Sequence, residues 1–515
     1  MTRGLALVAA LLCLVQVGSA FAAPSLPPAD AATPTAPTWD VHGELGLRGL
    51  GAASFGTDDI GTRSGQTRWA QSRLIAGASW RTAGFGAELE VEALNGTFAG
   101  DGLHLGERYD SDLFLTPRDG RASAVQRVLP RKATLHFDTP IGRLLVGPQV
   151  FHWGLGLVAH DGRTPSAFGD PRQGNIVSRV AFATRPLQGA RSKLLASLLV
   201  FAGADLVVRD DNSVLLDGDV ALAALAGARV EHEGTALGAF VAARAQTDRE
   251  DQHRPDGARA ETRVVAIDGF ARHAFATTAQ RRVIGEAEIA GLLGESSRPY
   301  SDETLKGVAV RALGAVARGR LELDALGLDG QVEVGYASGD NDPRDATARA
   351  FAFHSDFNVG LVLFDQVLPA IAARSLDRLA DPTLLSRPPP SLRYAVPQGA
   401  VSNAAYLQSS LRWRPTPALE LRLGWLLAAS AGSVVDPYQS GMRAGEPTTA
   451  GGQPATSGLY GQEWNASVRG LMALKGRLRL GLGAEAGILL PGAVFDGVQG
   501  LGRPWLGRLT CDVRY

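Results

Sequence analysis

Over much of this chain apolar and polar residues take turns, one by one. In SRLIAGASWR, Leu74, Ala76, Ala78 and Trp80 are the apolar set, with Arg73, Ser79 and Arg81 between them. In FGAELEVEAL, Phe85, Ala87, Leu89, Val91 and Ala93 alternate with Glu88, Glu90 and Glu92. LELRLGWLL sets Leu419, Leu421, Leu423, Trp425 and Leu427 against Glu420 and Arg422, and RLRLGLGAEA behaves alike. A period of two places the two sets on opposite faces of β-strands. A period of 3.6 is confined to the stretch from Asp365 to Leu379.

The connections alternate too, short then long. Short turns fall near Thr82–Gly84, Thr139–Gly142, Pro186–Arg191, Glu233–Gly234, Ala274–Gln280, Arg318–Gly319, Arg414–Ala418 and Lys475–Gly476. Long polar connections fall near 51–66, 96–129, 150–175, 206–216, 248–259, 295–302, 337–401, 431–459 and 491–503. Together they predict an all-β chain of about 18 strands. The fold class expected is a transmembrane antiparallel β-barrel with short periplasmic turns and long extracellular loops. A propeller would repeat at a period of 40 to 50 residues, and no such repeat is present.

The two ends agree with this reading. Residues 1–22 have a basic start at Arg3, an apolar run from Leu5 to Val17 and the small-residue exit Ala20-Phe21-Ala22, the pattern of a secretory signal peptide. A Pro/Ala-rich linker is expected over 23–38, and the barrel over 39–515. At the other end, Trp505, Gly507, Leu509, Cys511, Val513 and Tyr515 form one apolar face that closes on an aromatic. Such a terminal strand is the expected signal for the barrel-assembly machinery, with Trp505, Leu509, Cys511, Val513 and Tyr515 facing lipid. The expected location is the outer membrane of a Gram-negative cell, with its lipid bilayer as the first partner.

Composition narrows the function. The chain has 51 basic and 52 acidic residues, a net charge of −1, so affinity for nucleic acid is not expected. Only four residues are lysine, which leaves 47 arginines. Alternation points Arg73, Arg179, Arg229, Arg244, Arg311, Arg412, Arg422, Arg469, Arg479 and Arg508 into the lumen, with Glu420 and Glu485 among their acidic neighbours. Guanidinium groups bind carboxylates in bidentate fashion, so this set suits anionic cargo; cross-strand Arg–Glu ladders stiffening the wall are the alternative.

Two loops carry the remaining chemistry. VFHWGLGLVAHDGRTPSAFGDPRQGN fits either an inward constriction or a surface contact patch. Its His152, His160 and Asp161 match no zinc spacing. In the loop from 337 to about 401, Asp340, Asp342 and Asp345 could hold a Ca²⁺ through oxygen ligands or simply form a solvated turn. RPPPS at Arg387–Ser391 reads as extended. No nucleophile–histidine constellation is present, so an enzyme is not expected, nor is a cofactor.

The segment GYASGDNDPRD, followed by FAFHSDFNVG, resembles the alginate-export family of outer-membrane barrels, as does LLVGPQVFHWGLG. Where that family commonly has Gly-Arg-Gln, this chain has Pro148 in place of the arginine. The resemblance implies an eighteen-stranded, arginine-lined pore for outward passage of an anionic polysaccharide, gated by long loops and serving a periplasmic or polysaccharide-export partner. The alternatives are a diffusion porin or substrate-specific channel for small solutes, and a partner-binding barrel with a closed lumen.

Overall fold

The computed structural model describes residues 37–101, 128–250, 257–278, 280–298, 307–342, 345–381, 383–384, 399–474 and 476–515. The expected signal peptide, most of the linker and the RPPPS run lie outside the described residues. Eighteen long strands form one sheet: β1 (Thr38–Ala52), β2 (Arg68–Thr82), β3 (Phe85–Gly100), β4 (Leu129–Thr139), β5 (Gly142–Phe151), β6 (Asn175–Thr184), β7 (Leu199–Asp210), β8 (Val220–His232) and β9 (Thr235–Thr247) make the first half. The second half is β10 (Glu261–Thr278), β11 (Arg281–Ser296), β12 (Val308–Leu323), β13 (Leu328–Ala337), β14 (Ala404–Thr416), β15 (Leu419–Ser430), β16 (Leu459–Ala473), β17 (Arg479–Pro491) and β18 (Trp505–Arg514). Two-residue strands at Ser213–Val214 and Thr347–Ala348 attach to its rim.

Each long strand pairs antiparallel with its sequence neighbours, and β1 pairs with β18, from Glu44 opposite Arg514 to Ala52 opposite Leu506. The sheet is therefore a closed barrel with no free edge, the condition for crossing lipid with strands. Tyr515 extends the seam: its N–H donates to the Gly43 carbonyl at 2.9 Å and its carbonyl accepts from Gly43 N–H.

The turns follow the expected short–long rhythm with one correction. Arg318 and Gly319 lie inside β12, and the chain reverses at Asp324–Gly327 instead. Alanine blurs the alternation there, but Arg318 and Arg320 both point inward, to Glu333 at 2.6 Å and Glu286 at 2.8 Å, which keeps the strand going.

Side-chain burial separates the two faces. On β18, Trp505 and Leu509 are exposed, whereas Leu506, Arg508 and Asp512 are buried inside. Aromatic rings crowd the outer wall near the short turns: Trp39 lies 6.0 Å from Trp80, Trp80 5.4 Å from Phe85, and Phe85 5.1 Å from Phe137. Trp425 and Trp464, 6.3 Å apart, stand toward the long-loop side together with Trp505. These are the two interfacial girdles of a membrane barrel. The lumen holds the main apolar core, built by inserted loops: Leu155, Leu157, Phe168, Phe351, Phe353, Phe357 and Leu361–Phe364 are all buried. The predicted helical stretch is one π-helical turn (Leu363–Val367) followed by α2 (Leu368–Ala380), α1 being the short Lys193–Ala196. Its Ala370, Ala373, Leu376 and Leu379 face the core.

The face assignment has a direct consequence for assembly. Leu509 sits at the middle of β18 and is 66% exposed, so Leu509→Arg should cost roughly 2–4 kcal/mol in a bilayer. Arg514→Ala, on the wet side, should cost well under about 1 kcal/mol. Equal shifts of the urea midpoint for the two refolded variants would refute the assignment.

Candidate functional site

A backbone that enters a barrel brings donors that the barrel must satisfy. Here buried carboxylates do this, each accepting three successive or near-successive N–H groups. Glu288 on β11 accepts from Leu155, Gly156 and Leu157 of the β5–β6 loop. Glu463 on β16 accepts from Leu361, Val362 and Leu363 of the β13–β14 loop at 2.5, 3.1 and 2.7 Å. Asp356, within that second loop, accepts from Arg172, Gln173 and Gly174 of the first at 2.5, 3.1 and 2.7 Å. Asp268 adds a bond from the Trp153 indole at 2.8 Å. Glycines on the lumen face make room for the incoming rings. A Cβ at Gly238 would meet Trp153, at Gly424 Phe168 and at Gly314 Phe351.

The result is a crossbar. Residues 161–174 run across the lumen and are tied at both sides by arginines. On the β1–β4 side, Arg73 donates to the carbonyls of Gly162 at 2.9 Å and Pro171 at 3.2 Å, and the fully buried Arg131 to that of Asp161 at 2.6 Å. Arg48 pairs with Asp170 at 2.7 Å and Arg172 with the same carboxylate at 2.8 Å. On the far side, Arg422 donates to the carbonyls of Ser166 and Ala167, and its guanidinium lies 5.9 Å from the Phe168 ring. Burial alone would raise the Asp170 carboxyl, but Arg172, Arg48 and Arg508 hold it well below the usual carboxylate range. Such a group stabilises the fold fully above its ordinary value of 3.8 and yields only in stronger acid.

Beside the crossbar, toward the short turns, is a cavity of about 270 Å³. Arg48, Arg73, Arg163, Arg422, Arg469, Arg508 and Arg514 line it together with Glu44, Asp170, Glu420, Glu485 and Asp512. Most of these charges face each other: Arg469 lies 3.1 Å from Asp512, Arg422 2.9 Å from Glu420 and Arg514 2.8 Å from Glu44, while Arg508 pairs with Glu485. Above the crossbar the mouth is roofed by neighbouring loops. Arg374 and Arg378 of α2 reach Asp58 and Asp59 at 2.8 and 3.0 Å, and Arg378 stacks 4.2 Å from Tyr438 of α3 (Pro437–Met442).

The expected lumen arginines are placed unequally. Arg73, Arg422, Arg469 and Arg508 meet at the cavity with Glu420 and Glu485. Arg412 points inward to Asp329, Arg244 to Asp210, and Arg229 to Glu231 at 2.6 Å; Arg479 stands inside near the short turns, opposite Arg514. Arg179 is wholly buried against Asp205 at 2.6 Å, with its guanidinium 4.3 Å from the Phe151 ring. Arg311 is on the outer face, opposite exposed Leu293, because the inward set of β12 is Val308, Ala312, Val316 and Arg318. Alanines on both faces hid that parity. Alternation did not single out Arg48, Arg131 and Arg209, although all are strand residues; Arg163, Asp170 and Arg172 belong to a loop and carry no periodic signal.

The acidic turn keeps its oxygens for itself. Asp340 accepts from Asp342 N–H at 3.2 Å and Arg349 N–H at 3.0 Å, and Asp345 from Thr347 N–H at 2.7 Å and the Arg349 side chain. Among the described residues, Asp340, Asp342 and Asp345 do not converge on a common point.

The carboxylate latches can be tested singly. Glu463→Ala strips three buried N–H groups of their acceptor, at about 1–3 kcal/mol each before relaxation. Glu463→Gln keeps one acceptor oxygen and should lose less. Amide exchange at Leu361–Leu363 should accelerate in that order while the barrel strands stay protected; unchanged exchange in the alanine variant would refute the latch.

No protein-family model matches the chain, and no curated protein sequence does. Solved structures do. OccAB1 of Acinetobacter baumannii is 7% identical over 92% of this chain and 96% of that one, with a TM-score of 0.51. OccAB2 of the same organism is 10% identical over 92% and 98%, with a TM-score of 0.50. OpdK of Pseudomonas aeruginosa, solved with vanillate, is 14% identical over 92% and 98%, at 0.48. The alginate-export resemblance is thereby corrected: the solved barrels that share this fold include OccAB1 and OccAB2. The segments that carried the resemblance form an acidic turn and the strand that leads into the inward-folded β5–β6 loop. The chain is a closed eighteen-stranded antiparallel barrel, an outer-membrane β-barrel in fold, like OccAB1 and OccAB2.

Proposed function

We propose that this barrel is a substrate-selective diffusion channel for small organic anions. The observation that carries this reading is the cavity beside the crossbar. At about 270 Å³ it is near the lower limit of small-molecule sites and holds one compact solute. A polymer threading the lumen would need the crossbar, held by Arg73, Arg131 and Arg422, to be absent. Small-solute passage, the alternative drawn from the sequence, thus fits better than polysaccharide export.

The sign of the cargo rests on the lining. Seven arginines and five carboxylates line the cavity. Arginine presents a fork of donors that matches a carboxylate without being deprotonated, so a carboxylate can exchange into an existing Arg–carboxylate pair. Crossing would then proceed by replacing one partner of Arg469, Arg508 or Arg514 with the solute, at little net desolvation. No bond is made or broken, and no residue is assigned a catalytic part.

In planar bilayers the refolded chain should pass current with anion preference. Arg469→Gln together with Arg514→Gln should lower the anion-to-cation permeability ratio, by about fivefold if each charge is worth about 1 kcal/mol at water-like screening and part of that is lost to salt. Asp512→Asn should raise it. A cation-selective wild-type channel, or free passage of a long polysaccharide, would overturn the proposal.

A further inference from the structure

The β5–β6 and β13–β14 loops meet at three imidazoles that the cavity does not use. His160 and His354 stack with ring centroids 5.7 Å apart and planes at 28°, and His152 meets His160 edge-on at 5.2 Å. We propose that these histidines form a proton-operated clasp that fastens the crossbar to the second loop near neutral pH and releases it in acid.

The geometry assigns the protons. His160 Nδ1 accepts the Gly162 N–H at 3.0 Å, and His354 Nδ1 accepts the Asp356 N–H at 3.0 Å. An Nδ1 that accepts carries no proton, so each ring is neutral in the closed clasp. Protonation of His160 at Nδ1 turns its acceptor into a donor facing the Gly162 N–H, and it sets a cation against the His354 ring in a buried place. The two backbone bonds shape the turns on either side of the junction, and the one to Gly162 is the one lost. One turn holds Asp356, whose carboxylate accepts the crossbar's Arg172, Gln173 and Gly174 N–H groups; the His354 N–H also donates to Leu157 O at 2.7 Å. The clasp and the crossbar thus move as one.

Charges from every side bear on the rings. Asp161 Oδ1 lies 3.8 Å and Asp356 Oδ2 3.9 Å from His160 Nδ1, and Asp211, beyond β7, lies 3.9 Å from His354 Nε2. At longer range Asp210 at the end of β7 acts on His354 and Arg229 on β8 acts on His152, while Arg209 acts on Asp356. Burial prevails over the carboxylates: it pushes His160 down to about 4 and lowers His152 as well. A base held below its ordinary 6.5 takes up its proton more readily once released. The clasp is therefore fully stable above pH 6.5 and weakens as the pH falls toward 4. The same nitrogens are poor ligands for a cation, because each Nδ1 lone pair already receives an N–H.

Hydrogen exchange reads the crossbar without requiring current, so the clasp stands or falls independently of the channel proposal. In the refolded full barrel, the protection factors of the Arg172–Gly174 amides should fall about tenfold or more between pH 7 and pH 4. In His160→Asn with His354→Asn, where Oδ1 takes the place of Nδ1 as an acceptor that does not protonate at these pH values, protection should stay level. His354→Asn alone, which keeps an acceptor beside the Asp356 N–H, should keep most of the fall, whereas His160→Asn alone should lose it. The heat-modified gel shift at neutral pH establishes that each variant is folded. Level protection in the wild type, or an equal fall in the double variant, would overturn the clasp. So would Zn²⁺ at pH 7 raising protection in the wild type and not in the double variant, which would assign the cluster to a cation.

Discussion

Everything in this molecule answers to one requirement: a peptide group away from water must find a hydrogen-bonding partner inside the protein. In the wall, the β1–β18 seam meets it by closing the sheet. In the lumen, where two loops fold inward and cannot pair as strands, Glu288, Glu463 and Asp356 meet it with carboxylates. The arginines supply the mirror image, donating to loop carbonyls of Gly162, Pro171, Asp161 and Ser166. A lumen rich in both signs is thus what a barrel with inserted loops demands, before any cargo is considered.

This bears on how the charge should be read. Arg131 and Arg179 are buried and ion-paired, and they stiffen the structure. Arg469, Arg508 and Arg514 are paired as well, but they line a cavity, where the carboxylate of the proposed solute would compete for them. Position relative to the crossbar separates the two roles; residue type does not.

The barrel was largely legible in the sequence because a two-faced strand must alternate, and its connections must be polar. The eighteen strands, the outward face of Trp505 to Tyr515 and the helix near Asp365–Leu379 all follow from local patterns. Two things escaped it. Where both faces are alanine, as around Arg311, alternation has no contrast and the parity slipped. The crossbar escaped because its contacts join residues far apart, Arg422 to Ser166 and Asp356 to Gly174, and no local period records such a pairing. His354 likewise reaches His160 only through the fold.

The glycines facing Trp153, Phe168 and Phe351 have a consequence for how such a pore can change over time. Each socket is set by the absence of a single carbon on the inner wall. Adding that carbon would displace the ring seated there and shift the loop behind it, while the lipid-facing side of the same strand would be untouched. The exterior must match a bilayer of fixed thickness, yet the interior is free to vary by one methyl group at a time. The bore of this barrel can be recut without rebuilding its hull.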